Sequence, residues 1–422
     1  MTQDSDQTVV IGGGLIGGMC AWYLAKSGRR VTLVDRDRFG GGCSHGNCGY
    51  ISPSHVLPLT TPGGMQKALR SMFSSDSPFY IKPRWSPALW RWLWNFARRC
   101  NQRDMLAAAV GLHQLLQSSR QLYRELIAGE NLNCEWQQVG LLFVYQDEHE
   151  FHEFEKTNAL IQKNFGVSAE PIDGAALEAM EPALVSGLGG AWYYPDDSHL
   201  RPDLLLAELK RILLGRGVRI LENCHCDQFV VEGGVAKAAK TSQGEIPGDC
   251  FVAATGAWTP QWNQLLGCRV PIQPGKGYSI TMPRPSICPT YPLIFEQHRV
   301  AITPLPSCYR IGSTMEFAGY DSSINERRIK LLTSSARIYL REPLCEPVLE
   351  KWYGWRPMTW DSLPFIDRAP IAKNVWVAVG HNMLGLSTAT GTGKLIAELI
   401  GGESPHIDAR QYSLSRISRG GD

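Results

Sequence analysis

The sequence predicts an α/β protein, a discontinuous parallel-sheet domain that carries an inserted α+β domain with a mixed or antiparallel sheet and helices. Two observations lead there. The chain opens on a strand–turn–helix–strand unit and closes on a second buried strand that runs into a glycine-spaced turn and a helix. Between these ends lie long helical stretches and a run of short strands punctuated by Pro and Gly. The 422 residues exceed what one core serves at roughly 100–200 residues per domain, so two interleaved domains are expected.

Thr8-Val9-Val10-Ile11 is a β-branched apolar run and predicts the first strand, with a glycine turn from Gly12 to Gly18. Met19 to Ser27 has helical spacing closed by Gly28, and Val31 to Val34 makes a strand ending at Asp35. The loop from Phe39 to Gly64, with Gly40-Gly41-Gly42, Pro53, Pro58 and Pro62, is long enough to suggest function. Helical spacing runs from Trp85 to about Ile127, opened by the aromatic-rich Trp85–Phe96. Gly140–Tyr145 reads as a strand, Glu148–Asn164 and Leu204–Gly215 as helices, and Val218–Leu221 as a strand. Phe251–Ala254 is a buried strand that runs into Thr255-Gly256-Ala257-Trp258. Short antiparallel strands fill 270–320; Val375–Val379 is a late buried strand, and Gly380–Gly393 leads into a helix over Lys394–Ile400. This pattern assigns 1–84, 181–262 and 346–422 to the discontinuous domain, and 85–180 and 263–345 to the insertion.

Composition narrows the function. Lys and Arg number 42 against 40 Asp and Glu, a net charge of +2, so no basic face points to nucleic acid. A 44% hydrophobic, 19% charged chain is an ordinary globular one. No uninterrupted apolar run reaches the about 18 residues of a bilayer span. Polar Met1 to Gln7, with Asp4 and Asp6, is not expected to be a secretory signal. The 12 scattered cysteines are then expected as reduced thiols of a cytoplasmic protein.

Gly12, Gly14 and Gly17 stand in a G-x-G-x-x-G frame that encloses Leu15 and Ile16. The first glycine permits a tight turn, the second lets backbone approach a pyrophosphate, and the third lets helix pack on strand. Free N–H groups at the helix N-terminus face the anion. Asp35 stands where a ribose-hydroxyl acceptor is needed, so the unit reads as Rossmann-like and dinucleotide-binding. Two further segments favour FAD over NAD. Gly40 to Asn47 offers small residues and hydroxyl or amide donors for a second approach to pyrophosphate and ring. Val379 to Ser387 puts helix amides where negative charge develops on a reduced flavin.

Asp35-Arg36, Ser44-His45-Gly46-Asn47, Ile51-Ser52-Pro53-Ser54-His55 and Ala254-Thr255-Gly256-Ala257-Trp258 follow the glycine string in one order. Pro274 to Ser279, Arg310 to Phe317, Gly354-Trp355-Arg356-Pro357-Met358-Thr359 and Gly380 to Gly393 continue it. From about Val9 to Ile400 this series resembles the D-amino-acid-oxidase superfamily of flavoproteins, and within it the bacterial D-amino acid dehydrogenases. The resemblance implies a noncovalent FAD held by Gly12, Gly14, Leu15, Ile16, Gly17, Asp35, Arg36, Cys43, Ser44, Asn47, Gly49 and Ile51. It adds Thr255, Gly256 and Trp258, then Gly380, His381, Met383, Leu384, Gly385, Leu386 and Ser387. His45-Gly46-Asn47-Cys48 departs from the family's usual pattern beside the expected ring, and some relatives attach flavin covalently through a His or Cys.

The implied activity is oxidative deamination of a D-amino acid, D-proline or a hydroxyproline epimer included, by hydride transfer from Cα to flavin N5. Electrons pass to a non-oxygen acceptor such as quinone. A glycine- or sarcosine-type oxidase using O₂ and a non-catalytic flavin-binding subunit are the alternatives. Such chemistry asks the protein to orient substrate and neutralise its carboxylate, for which an Arg fork is suited. Arg356 is the leading clamp, Tyr278 a hydrogen-bonding candidate, and His55 and His45 candidate acceptors of the amine proton. His381 is placed against the ring, and Lys276 is expected in solvent.

Cys224-His225-Cys226 lacks the second ligand pair of a structural zinc site, so no metal is expected. Gly391-Thr392-Gly393-Lys394 fails the phosphate-loop frame because Leu395 follows the lysine, and it reads as a helix start. Trp85, Trp90, Trp92 and Trp94 with Arg84, Arg91, Arg98 and Arg99 read as a core helix with snorkelling arginines. Resting on the inner face of the cell membrane is the other reading.

Overall fold

The computed structural model describes residues 6–62, 77 and 79–417. Met1 to Ser5, at the polar start, and Gly63 and Gly64 of the long loop lie outside the described residues. Gln7–Ile11 is a central strand of a six-stranded sheet, paired in parallel with Arg30–Val34 and Cys250–Ala253. Arg219–Leu221 extends the sheet beyond Arg30–Val34, and Val375–Val379 and antiparallel Phe365–Arg368 extend the other side.

Central strands of such a sheet are buried on both faces, which is why they read as unbroken apolar runs. Val10, Leu33 and Val252 turn to one face and join the helices Leu15–Lys26, Pro202–Gly215 and Gly385–Gly401. Val9, Ile11, Phe251 and Ala253 turn to the other, where a three-stranded antiparallel sheet, Cys226–Glu232, Val235–Thr241 and Gly244–Pro247, covers them.

A second, nine-stranded sheet runs in the order Glu350–Met358, Gln273–Met282, Tyr309–Phe317, Val300–Pro304, Leu293–Phe295, Leu141–Tyr145, Gly190–Tyr194, Glu170–Asp173. Phe79–Ile81 adds to Tyr309–Phe317. Sheet membership shifts the expected domain boundaries. Phe79–Ile81, Gly190–Tyr194 and Glu350–Met358 belong to this sheet, although the sequence division placed their stretches with the dinucleotide domain. Strand partners are chosen in space, and no local pattern marks which sheet a short strand joins.

The long helical stretch divides into Pro87–Arg98 and Gln102–Gly129, because the Asn101 side chain accepts the Asp104 N–H and caps a new helix. The last helix starts at Gly385 rather than Lys394. Its glycines suggested a turn, but Gly393 lies mid-helix where a Cβ would stand 2.7 Å from the Met19 backbone. It is there for close packing against Leu15–Lys26.

Candidate active site

The first turn is built around close backbone approach. Gly12 has φ +112°, and a Cβ there would lie 2.4 Å from the Ala254 carbonyl oxygen. Gly14 caps the helix Leu15–Lys26 without a side-chain bond, no acid occupies that helix's first turn, and nothing lies within 4 Å of where its Cβ would stand. The helix end thus presents free N–H donors to open space, as a pyrophosphate requires. Asp35 accepts the Gly13 N–H at 2.6 Å and the Asp37 N–H at 2.7 Å, and burial raises its pKa. The Arg36 guanidinium lies 3.7 Å from the centre of the Trp258 ring, which stacks on Tyr320 at 4.5 Å. Thr255 and Gly256 begin the segment leading to that ring.

A second helix N-terminus faces the same region. Gly385–Gly401 is capped by Leu384 with no side-chain bond and no acid in its first turn. Ser387 Oγ donates to the Tyr50 carbonyl at 2.9 Å and accepts the Ser52 N–H at 3.1 Å. These bonds tie the end of the glycine-rich loop to the last helix, beside buried Ile51 and Leu386. Asn47 sets the loop: its Oδ1 accepts the Gly49 N–H at 2.7 Å and its Nδ2 donates to the Ser44 carbonyl. Gly380 precedes a turn held by Asn382, while Met383 is 43% exposed. An open glycine at one uncapped helix end and a clasped loop at another fit a dinucleotide.

Along Gln273–Met282 alternate residues face opposite ways. Gly275, Gly277, Ser279 and Thr281 share a face with Arg356, Gly354 and Trp352. Over that face runs the loop: Ser279 Oγ donates to the Gly46 carbonyl, Thr303 Oγ1 to that of Cys48. The half-buried Arg356 guanidinium lies across Gly277, where a Cβ would come 2.5 Å from Cζ. It donates to the Thr314 carbonyl at 2.6 Å, and no carboxylate pairs with it among the described residues. Burial lowers its pKa, against opposing effects of the Cys48 and Cys43 thiols. A partly desolvated cation without a counterion is suited to receive an anion. Buried Thr314 Oγ1 has no hydrogen-bond partner among the described residues, and its backbone holds φ +51°.

The histidines separate. His45 Nε2 meets Glu350 Oε1 at 2.9 Å, and the bond to Glu350 raises its pKa. His55, packed 5.4 Å from the Phe143 ring, is pushed down to about 4 by burial and is neutral at physiological pH. Its Nδ1 is 3.4 Å from Ser54 Oγ, which donates to buried Asp197 at 2.6 Å. The Asp197 carboxyl is pushed up to about 7, chiefly by burial. His381 turns into the last helix, 3.0 Å from Thr392 Oγ1, and burial takes it to about 3.

Tyr278 lies on the other face of the sheet, with Ile280 and Met282, in the core beside the helix Glu326–Tyr339. Its hydroxyl donates to Glu316 Oε2 at 2.5 Å. The structure thus separates Tyr278 from the Arg356 face, because one residue of register reverses a strand side chain. Lys276, on the same face as Tyr278, is fully buried and donates to the Ser323 carbonyl, a correction to its expected solvation. Among the described residues no metal-binding cluster occurs. Sequence reading did not single out Thr314 and Gly277, which contact Arg356, or Asp197, which holds Ser54. A glycine inside a strand pattern was a signal for Gly277; the other two carried none.

Residues 7–399 match the family of FAD dependent oxidoreductases. The chain is 33% identical over 421 residues, 98% of this chain and 99% of the relative, to a D-amino acid dehydrogenase of Paramagnetospirillum magneticum. A D-amino acid dehydrogenase of Agrobacterium fabrum is 31% identical, with 97% and 99% covered. In fold it is similar to glycine oxidase from Geobacillus kaustophilus, with TM-score 0.79, 20% identity, and 98% and 99% of the two chains covered. The chain belongs to the FAD dependent oxidoreductase family, and its dinucleotide is FAD.

Proposed function

We propose that the protein oxidises the Cα–N bond of a D-amino acid, D-proline and hydroxyproline epimers included, and passes the electrons to a non-oxygen acceptor such as a quinone. The Arg356 guanidinium, without a carboxylate partner among the described residues, carries this reading. Bound FAD supplies the two-electron acceptor; the residues of this chain do the rest. Arg356 receives the substrate carboxylate through paired N–H donors, and Thr314 Oγ1 offers a further hydrogen bond beside it. Gly277 keeps the clamp flat against the sheet.

Oxidation requires a neutral amine. The ammonium proton is given up to water, since Glu350 already engages His45 and burial makes His55 a weak base. Tyr278 and Glu316 serve the fold of the strand and take no substrate contact. The product imine hydrolyses to a 2-oxo acid and ammonia, or leaves intact when cyclic. Names of the relatives support the D-configuration. No helix among the described residues is long and apolar enough to cross a membrane. The reading places the protein in the cytoplasm, in contact with the inner membrane face.

The test is anaerobic bleaching of the bound flavin by a panel of D- and L-amino acids and prolines. Bleaching by D-forms alone, with turnover by a dye but little peroxide in air, is expected. A flavin that no amino acid reduces, or peroxide formed at the dye-linked rate, overturns the proposal or its acceptor.

A further inference from the structure

The helix Pro87–Arg98 has two unlike sides. Leu89, Trp92 and Phe96 face inward, packed with Ile81, Met315, Phe317, Met358 and Trp360. Trp92 Nε1 also donates to the Met358 carbonyl at 3.0 Å. The outward stripe holds Trp90, Arg91, Trp94 and Arg98, at the spacings that align residues on one helix face. Trp90 is 46% exposed, Trp94 66%, and Trp85 just before the helix 90%. Three exposed indoles within ten residues are costly in water, and grouped exposed apolar area marks an interaction surface.

Charge says what the surface meets. From Phe79 to Arg103 the sequence carries six Lys or Arg and no Asp or Glu. Arg91 and Arg98 have no carboxylate partner among the described residues, and both lie on the tryptophan stripe. Indoles settle where hydrocarbon meets headgroups, and guanidinium pairs with phosphate. We propose that this face docks the protein on an anionic lipid surface, with Trp85, Trp90 and Trp94 at the headgroup boundary and Arg91 and Arg98 on lipid phosphates. It deepens the membrane contact proposed above and holds whatever the amine substrate is. The inner side of the helix rests on Met315 and Met358, neighbours of the Thr314 and Arg356 pocket. A docked protein therefore holds its active site one helix away from a lipid-borne acceptor.

The purified holoenzyme is to be sedimented with phosphatidylcholine vesicles and with vesicles containing phosphatidylglycerol. Binding to the anionic vesicles, weakened by salt, with blue-shifted tryptophan emission, is expected. Replacing Trp85, Trp90 and Trp94 together by Ser should lower the partition about tenfold or more, and Arg91→Gln with Arg98→Gln should remove the anionic preference. FAD content and dye-linked turnover of these variants should match wild type, which shows that they fold. Equal partition of wild type and the tryptophan variant overturns the proposal, as does absence of vesicle binding. Tryptophan-dependent dimerisation in place of lipid binding also overturns it and assigns the face to a second copy. Failure of dye-linked turnover in every form would count against the substrate reading alone.

Discussion

The two faces of the strand Gln273–Met282 differ as sharply as two proteins. Toward the helix Glu326–Tyr339 it shows Tyr278, Ile280 and Met282, bulky and close-packed. Toward the glycine-rich loop it shows Gly275, Gly277, Ser279 and Thr281, small enough to leave room for Arg356 and the backbone of 46–48. One face is a core and the other, on the reading proposed above, a floor for chemistry, and a period of two residues separates them. Side-chain size, more than polarity, distinguishes the working face.

Removing the clamp tests this division most severely. Arg356→Leu should cut kcat/KM by about 100- to 1000-fold, as truncation of one partner of a desolvated charge pair does, with FAD content unchanged by absorbance. Gly277→Ala places a methyl 2.5 Å from the guanidinium carbon and pushes the clamp aside. We expect a rise in KM of about tenfold with a smaller change in kcat, read by steady-state kinetics with a dye acceptor. Across the sheet the outcome should invert. Tyr278→Phe leaves Glu316 Oε2 without its donor and should cost about 1–3 kcal/mol in denaturant unfolding, while KM stays within about twofold. A large KM effect there would mean that the faces are not separate.

Acidity supplies the mildest test, on the loop above the floor. His55 has its folded pKa depressed to about 4, so as pH falls from the unfolded value near 6.5 the unfolded chain gains a proton first. His55 therefore erodes stability across that interval. His45, raised by Glu350, behaves oppositely: its contribution is full below the unfolded pKa and fades as pH rises through the folded one. Urea midpoints against pH should lose the acid-side erosion in part in His55→Gln, and the alkaline fade in His45→Gln.

What the sequence made legible follows from the range of each interaction. Gly12, Gly14, Gly17 and Asp35 belong to one contiguous unit whose geometry is local, so their frame sufficed. Arg356, proposed above as the clamp, was reachable as a candidate because carboxylate recognition narrows the residue type. Tyr278 was misplaced because its face depends on register against Glu350–Met358, which no local pattern encodes. The last helix began nine residues earlier than expected, at Gly385 instead of Lys394, since packing on Met19 outweighs the weak helix propensity of its glycines. Thr314 and Asp197 acquire their character only from burial.

The hydroxyl of Ser387 has a consequence in time. It joins backbone at Tyr50 and Ser52 to a helix that emerges after some nine-tenths of the 422 residues have been made. A nascent polypeptide lacking that helix has the first glycine turn but no second wall. If that helix completes the cofactor's seat, vitamin-derived cargo is loaded after the ribosome has nearly finished, and ribosome-stalled fragments ending before Gly385 should emerge colourless.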